Sequence, residues 1–342
     1  MRLHSDTPDG NRRSPAPVAI MYLLALSLVL AGCGAGAQHR SSAATLEPTT
    51  QSPTAVGTPV PNDPVVVVAG DIACDPTSAS YHDGLGDPTH CQMKATSDLV
   101  ASIQPNDVLV LGDNQYEAGN LLKFHESYGP TWGRFKGITY PVPGNHEYQT
   151  TNAAGYYAYF GAVAGNPTKG YYSFDIGTWH IVALNSECVQ IGGCNAGSPE
   201  DQWLKADLAS HPAMCTLAMW HRPEFDSGDY ASTSFLAFWT DLYNAGADII
   251  LNGHSHIYER FAPQTPNGTL DTAYGIRQFT VGTGGDDHTP INKIKPNSQT
   301  RNATTFGILK LTLHASGYDW QFIPIAGETY TDSGSADCHG AP

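Results

Sequence analysis

Five short apolar runs in this chain each end in a tight loop carrying an acidic, amide or imidazole side chain, and that repetition constrains the fold more than any other feature. Val65-Val66-Val67-Val68-Ala69 runs into Gly70-Asp71, residues 107–111 into Gly112-Asp113, and residues 139–142 into Pro143-Gly144-Asn145-His146. Residues 216–220 lead into His221, and Asp248-Ile249-Ile250-Leu251-Asn252 into Gly253-His254-Ser255-His256. Runs of four to eight apolar, β-branched residues stopped by a loop residue read as buried strands. A single Gly-Asp is ordinary turn chemistry, but five polar-tipped strand ends in one chain are not. In sheets with helices between strands, ligands gather at the strand ends, so residues distant in sequence converge there. Asp, Asn and His are metal-ligand types, and two histidines one residue apart can turn both rings into one cleft.

The segments between these runs are consistent with alternating strands and helices. Residues 93–103 have helical spacing at Met93, Leu99, Val100 and Ile103, and residues 200–211 and 235–245 also read as helices. A hairpin is expected over 171–184, turning at Gly177-Thr178, and residues 276–281, 308–313 and 318–325 read as strands. No internal repeat or second linker is visible, so one domain is expected from about 63 to 342. His125, His180 and His211 read as ordinary histidines, and Glu259-Arg260 as a structural pair behind the His-x-His loop. Arg222 has two readings, a contact to a bound anion or packing on an acidic neighbour; His288 reads as part of a solvated loop.

The N-terminus reads as a targeting segment. Arg2, Arg12 and Arg13 precede an apolar run, 18–30, that ends at Leu30-Ala31-Gly32-Cys33. A basic region, a short apolar core and small residues before a cut describe a secretory signal, and the run is short for a membrane span. The last four residues resemble the bacterial lipobox, which implies a signal peptide over 1–32, cleavage before Cys33 and lipidation of its thiol. Residues 33–62 are rich in Ser, Thr, Ala, Pro and Gly and cannot bury enough apolar surface to fold, so they read as a tether. The expected location is the outer face of the bacterial cell membrane, anchored by lipid on Cys33.

Cysteine usage agrees with export. Of seven cysteines, removing Cys33 leaves Cys74, Cys91, Cys188, Cys194, Cys215 and Cys338, an even set suited to disulfides. Short loops favour Cys74–Cys91 and Cys188–Cys194, leaving Cys215–Cys338 to tie down the tail. The net charge is −15, from 17 Lys and Arg against 32 Asp and Glu, which argues against an electrostatic grip on nucleic acid.

Taken together, Gly70-Asp71, Gly112-Asp113-Asn114-Gln115-Tyr116, Gly144-Asn145-His146-Glu147, His221 and Gly253-His254-Ser255-His256 resemble the calcineurin-like metallophosphoesterases, in the family's order. Within that family they are similar to the purple acid phosphatases. Asp71-Ile72-Ala73 has Ala at the histidine position of the Asp-x-His that many members carry, and the purple acid branch instead uses the Tyr of the second motif, here Tyr116. The resemblance implies a four-layer α/β/β/α sandwich of two mixed β-sheets flanked by helices. It implies that Asp71, Asp113, Tyr116 and His256 hold one metal ion and that Asp113, Asn145, His221 and His254 hold a second, Asp113 bridging both. Phenolate and carboxylates suit Fe³⁺, and Asn with imidazoles suits Zn²⁺, Mn²⁺ or Fe²⁺. The implied activity is hydrolysis of a small phosphate ester by water activated on the metal pair; His146, not a ligand in the family pattern, reads as bonding the phosphoryl oxygens or protonating the leaving group. A monoesterase is the expectation; a phosphodiesterase or nucleotidase uses the same centre, and a non-catalytic phosphate- or metal-binding lipoprotein is the reading from another class. Oligomeric state is not legible in the sequence.

Overall fold

Val65–Ala69, strand β1, shows why these residues form sheet: β-branched side chains favour extended backbone, and burial on both faces removes any polar alternation. The computed structural model describes residues 63–342 apart from Asp229. The signal segment 1–32, Cys33 and the tether 33–62 lie outside the described residues. Thirteen strands follow in chain order: β1, β2 (Asp107–Val110), β3 (Thr139–Pro141), β4 (Tyr172–Ile176), β5 (Trp179–Ala183), β6 (Cys215–Met219), β7 (Ile249–Asn252), β8 (Tyr258–Phe261), β9 (Arg277–Val281), β10 (Ser298–Asn302), β11 (Gly307–His314), β12 (Gly317–Pro324) and β13 (Asp332–Asp337). They build two sheets, in the order β13-β12-β11-β1-β2-β3 and β10-β8-β9-β7-β6-β5-β4. Both are mixed: β1 runs parallel to β2 and antiparallel to β11, and β6 and β9 run parallel to β7 while β8 runs antiparallel to β9.

Side-chain alternation sorts the layers. Val66, Val68 and Leu109 of the first sheet meet Ile181, Leu217, Leu251 and Phe279 of the second in a core between the sheets. Val67, Ala69, Val108 and Val110 point the other way, onto Met93 and Val100 of the helix Met93–Ile103 and onto the aromatic helix Ala154–Phe160. Val182, Ala218 and Ile250 face outward from the second sheet, onto Leu204 of Pro199–Ser210 and Phe238, Trp239 and Leu242 of Leu236–Asn244. The result is helix, sheet, sheet, helix, as expected. Each fully buried Leu, Val or Ile contributes about 1.5–3 kcal/mol.

The expected disulfides are present: Cys74–Cys91, Cys188–Cys194 and Cys215–Cys338. The last joins residues 123 apart in sequence and so removes the most chain entropy, about 4–5 kcal/mol on the loop-closure argument. One expectation is corrected. Glu259 and Arg260 do not pair: Glu259 accepts from Ser227 N at 2.9 Å, while Arg260 Nε donates to Asp332 at 2.7 Å. They are consecutive on β8, and successive side chains on a strand point to opposite faces. Among the described residues no helix is long and apolar enough to cross a membrane.

Candidate metal centre

The parallel strands β1, β2 and β3 of one sheet and β6 and β7 of the other discharge their C-terminal loops toward one place, and those loops carry all seven predicted ligands. On one side, Asp71 Oδ1 lies 2.9 Å from the Tyr116 hydroxyl and 3.2 Å from His256 Nε2, and that hydroxyl lies 2.9 Å from the same nitrogen. On the other, His221 Nε2 lies 3.0 Å from Asp113 Oδ2, 3.2 Å from Asn145 Oδ1 and 3.2 Å from His254 Nδ1. Asp113 Oδ2 also lies 3.4 Å from the Tyr116 hydroxyl, so one oxygen faces both groups.

The backbone is bent to achieve this. Asp71, Asp113 and His254 all have positive φ, at 59°, 45° and 67°, a region L-residues adopt at a cost of about 1–3 kcal/mol each. Close packing demands two glycines. A Cβ on Gly112 would stand 2.7 Å from the His221 ring, and one on Gly144 would stand 2.2 Å from Asp113 Oδ1.

Whether cations fit here is decided by where the protons are. His221 Nδ1 donates to the Leu111 carbonyl at 2.8 Å, which leaves Nε2 in the neutral ring as a bare lone pair. His256 turns Nδ1 to the Asp287 carboxylate and Nε2 inward. With the rings neutral, imidazole nitrogens, an amide oxygen and carboxylate oxygens face each other in a buried space, with the Tyr116 hydroxyl donating to Asp71 among them. Cations relieve that, and the donor set, one carboxylate shared between a phenol-containing and an imidazole-rich half, suits two of different hardness. The pKa directions agree. Burial pushes the Tyr116 phenol well above 10, and Asp71 and Asp113 add to the shift. Burial pulls His221 down, but the Asp113 carboxylate overrides it and lifts it to about 9. His254 is held down near 2 by burial, then by the charges of His221 and Arg222. Such a set needs positive charge at its middle, which cations supply in place of protons.

A model of the calcineurin-like phosphoesterase family matches residues 61–258. The chain belongs to that family. It is 33% identical to purple acid phosphatase 15 of Arabidopsis thaliana over 233 residues, 56% of this chain and 42% of the relative. It is 31% identical to purple acid phosphatase 13 of the same plant over 193 residues, 49% of this chain and 34% of the relative. The chain thus spans less than half the length of these curated relatives. A purple acid phosphatase structure from yellow lupin shares the fold, with a TM-score of 0.61 at 19% identity, covering 80% of this chain and 53% of that one.

Several residues of this calcineurin-like centre support the predicted ligands. Glu147, fully buried, accepts from the backbone N–H groups of Asp113 and Asn114 at 2.9 Å and Gly144 at 2.7 Å, tying two ligand loops together. His146 donates from Nδ1 to the Glu117 carbonyl at 2.5 Å, and its Nε2 lies 3.9 Å from Asp113 Oδ2, beside the centre and 20% exposed. His288 is not solvated as expected. It bonds the His256 carbonyl at 3.2 Å and packs on Phe306. Sequence reasoning passed over Asp286, Asp287 and Glu187, which follow β9 and β5 at the same sheet edge. Strand-end position was the signal that would have reached them.

Proposed function

We propose that this chain is an exported phosphoesterase that hydrolyses phosphate monoesters at a pair of cations. The observation that carries the reading is the inward convergence of seven lone-pair donors with Asp113 Oδ2 facing both halves. Asp71, Asp113, Tyr116 and His256 would hold one cation and Asp113, Asn145, His221 and His254 the other. Bound there, the pair supplies charge neutralisation for the phosphate and a reactive nucleophile from water at neutral pH. The chain's own residues do the rest. Leu111 and Asp287 fix the ring orientation of His221 and His256, as partners of ligand imidazoles generally do. His146, its Nδ1 hydrogen committed to Glu117, is placed to carry a proton on Nε2 to the leaving oxygen. No nucleophilic side chain is required.

Export is supported by three disulfides, which form in oxidising compartments. The Leu30-Ala31-Gly32-Cys33 sequence supports a lipid anchor on Cys33, with 1–32 removed and 33–62 as tether. The function is tested by assaying purified protein on a chromogenic phosphomonoester and its diester, before and after chelation and reloading. Turnover of the monoester that chelator abolishes and metal restores is expected. Preference for the diester overturns the monoester assignment, and no turnover of either after loading points to a binding protein. For the metals we propose Fe³⁺ beside Tyr116 with Zn²⁺, Mn²⁺ or Fe²⁺ in the other half. A Tyr116–Fe³⁺ bond gives a visible charge-transfer band that Tyr116→Phe abolishes. A colourless wild-type protein with stoichiometric iron would remove Tyr116 from the ligands.

A further inference from the structure

Arg222 follows His221 and is pinned at the rim of the centre. Its N–H donates to Ser186 Oγ at 3.1 Å, and its carbonyl accepts the Trp220 indole N–H at 2.7 Å. Its Nε donates to Glu187 Oε1 at 2.7 Å; the carboxylate side chain is 13% exposed and the guanidinium side chain 32%. Glu187 is itself fixed, its N–H on Asn185 Oδ1 and the Cys188–Cys194 disulfide next in the chain. Arg222 Nη1 lies 3.0 Å from His254 Nε2. If His254 gives Nδ1 to a cation, its neutral ring carries a hydrogen on Nε2, and a guanidinium has donors only. The terminal nitrogens then lack an acceptor on His254, while Glu187 still holds Nε. A fork-shaped donor stays at the mouth of the site, ready for an oxyanion.

We propose that Arg222, braced by Glu187, binds a terminal oxygen of the phosphoryl group that the cations leave free, and thereby selects phosphate monoesters over diesters. This rests on the phosphoesterase reading above. The argument is a count of oxygens. A monoester presents three terminal oxygens; were the cations to engage two of them, one would remain for Arg222. A diester has only two, so Arg222 faces an ester group and its donors stay unpaired. Sites built to hydrogen-bond a group disfavour the analogue that lacks it, because the donor is left without its partner.

The test titrates inorganic phosphate calorimetrically into metal-loaded wild type, Arg222→Met, Arg222→Lys and Glu187→Gln, alongside kcat/KM for the chromogenic monoester and diester. A charge-assisted hydrogen bond lost from the site predicts phosphate binding and monoester kcat/KM weakened roughly 10- to 100-fold in Arg222→Met. Diester turnover changes by no more than about twofold, and metal content stays at the wild-type value. Arg222→Lys keeps the charge without the fork and falls between. Glu187→Gln, a positioning change, shifts the monoester-to-diester ratio the same way by less. Equal losses on both esters, or unaltered phosphate affinity, overturn the proposal. Wild type that turns over neither ester sinks the phosphoesterase reading instead, and the phosphate titration still decides the role of Arg222.

Discussion

Two clusters in the molecule are made from the same side chains, and they differ in what converges on each ring nitrogen. His180 on β5 meets Asp207 and His211 from the helix Pro199–Ser210 and its end, while Asp113, His221 and His254 meet at the centre; in both sets the ligand-type atoms lie within 4.8 Å of one another. Proximity does not separate them. The partners of the ring nitrogens do. His180 gives Nδ1 to Asp175 at 3.0 Å and Nε2 to Asp207 at 2.9 Å, Ser173 donates to the second Asp207 oxygen at 2.7 Å, and His211 donates to the Asp207 carbonyl at 2.9 Å. Every acceptor there meets a proton, the arrangement of a satisfied ion pair. At the centre, His221 gives Nδ1 outward to Leu111, and its Nε2 faces Asp113 Oδ2, Asn145 Oδ1 and His254 Nδ1 together. Metal-ligating histidines generally give the other ring N–H to an outer carbonyl or carboxylate, the relation that His221 has to Leu111 and His256 to Asp287.

The same chemical change in each cluster should break them differently. Asp113→Asn removes the shared carboxylate. Turnover should fall by more than the roughly 100-fold that marks loss of an outer partner of a metal ligand, with metal content dropping below two per chain. Asp207→Asn should leave turnover and metal content as they were and lower stability, because His180, with a side chain 2% exposed, keeps a buried charge with half its partners. Breaking a buried pair costs about 3–5 kcal/mol, and the retained Asp175 contact points to the lower end. Elemental analysis and urea unfolding of both variants decide it. Metal loss from Asp207→Asn would erase the distinction between the clusters.

This contrast also marks where the sequence was legible. All seven donors could be found because each follows an apolar strand and most sit beside a Gly, a pattern set by close packing at Gly112 and Gly144. His180 and His211, read as ordinary histidines, differ in that respect, since neither sits at a strand end in a polar-tipped loop. Strands β10 and β13, Ser-Gln-Thr-Arg-Asn and Asp-Ser-Gly-Ser-Ala-Asp, were invisible. They lie at sheet edges with largely uncovered faces, so backbone pairing rather than apolar periodicity specifies them. Strand β8 has four residues and places Glu259 and Arg260 on opposite faces, which adjacency in sequence misrepresents as pairing. The Arg222–Glu187 brace spans 35 residues and exists only once β5 and β6 lie side by side.

The smallest expected effect separates the clusters by the sign of their pH dependence. Burial alone would lower the His180 pKa, but Asp207 and Asp175 raise it above its usual 6.5; burial alone would raise Asp207, but His180 and Ser173 pull it below 3.8. A raised histidine contributes stability that is fully present below 6.5 and lost as pH climbs through its folded value. A depressed aspartate contributes stability that is present above 3.8 and lost as pH falls. The pair is therefore worth most between those limits, and its contribution shrinks from pH 6 toward pH 8. The centre runs the other way, because cations compete with protons for imidazole nitrogens and metal-linked stabilisation grows as pH rises over the same interval. Urea unfolding of wild type and His180→Gln at pH 6, 7 and 8, each with and without chelator, measures both increments in one set of curves. The wild-type advantage over His180→Gln should fall across the series while the advantage of metal over chelator rises. If the His180 increment instead rose with pH and vanished with chelator, that cluster would be holding a cation too, and the direction of its N–H groups would no longer tell the two apart.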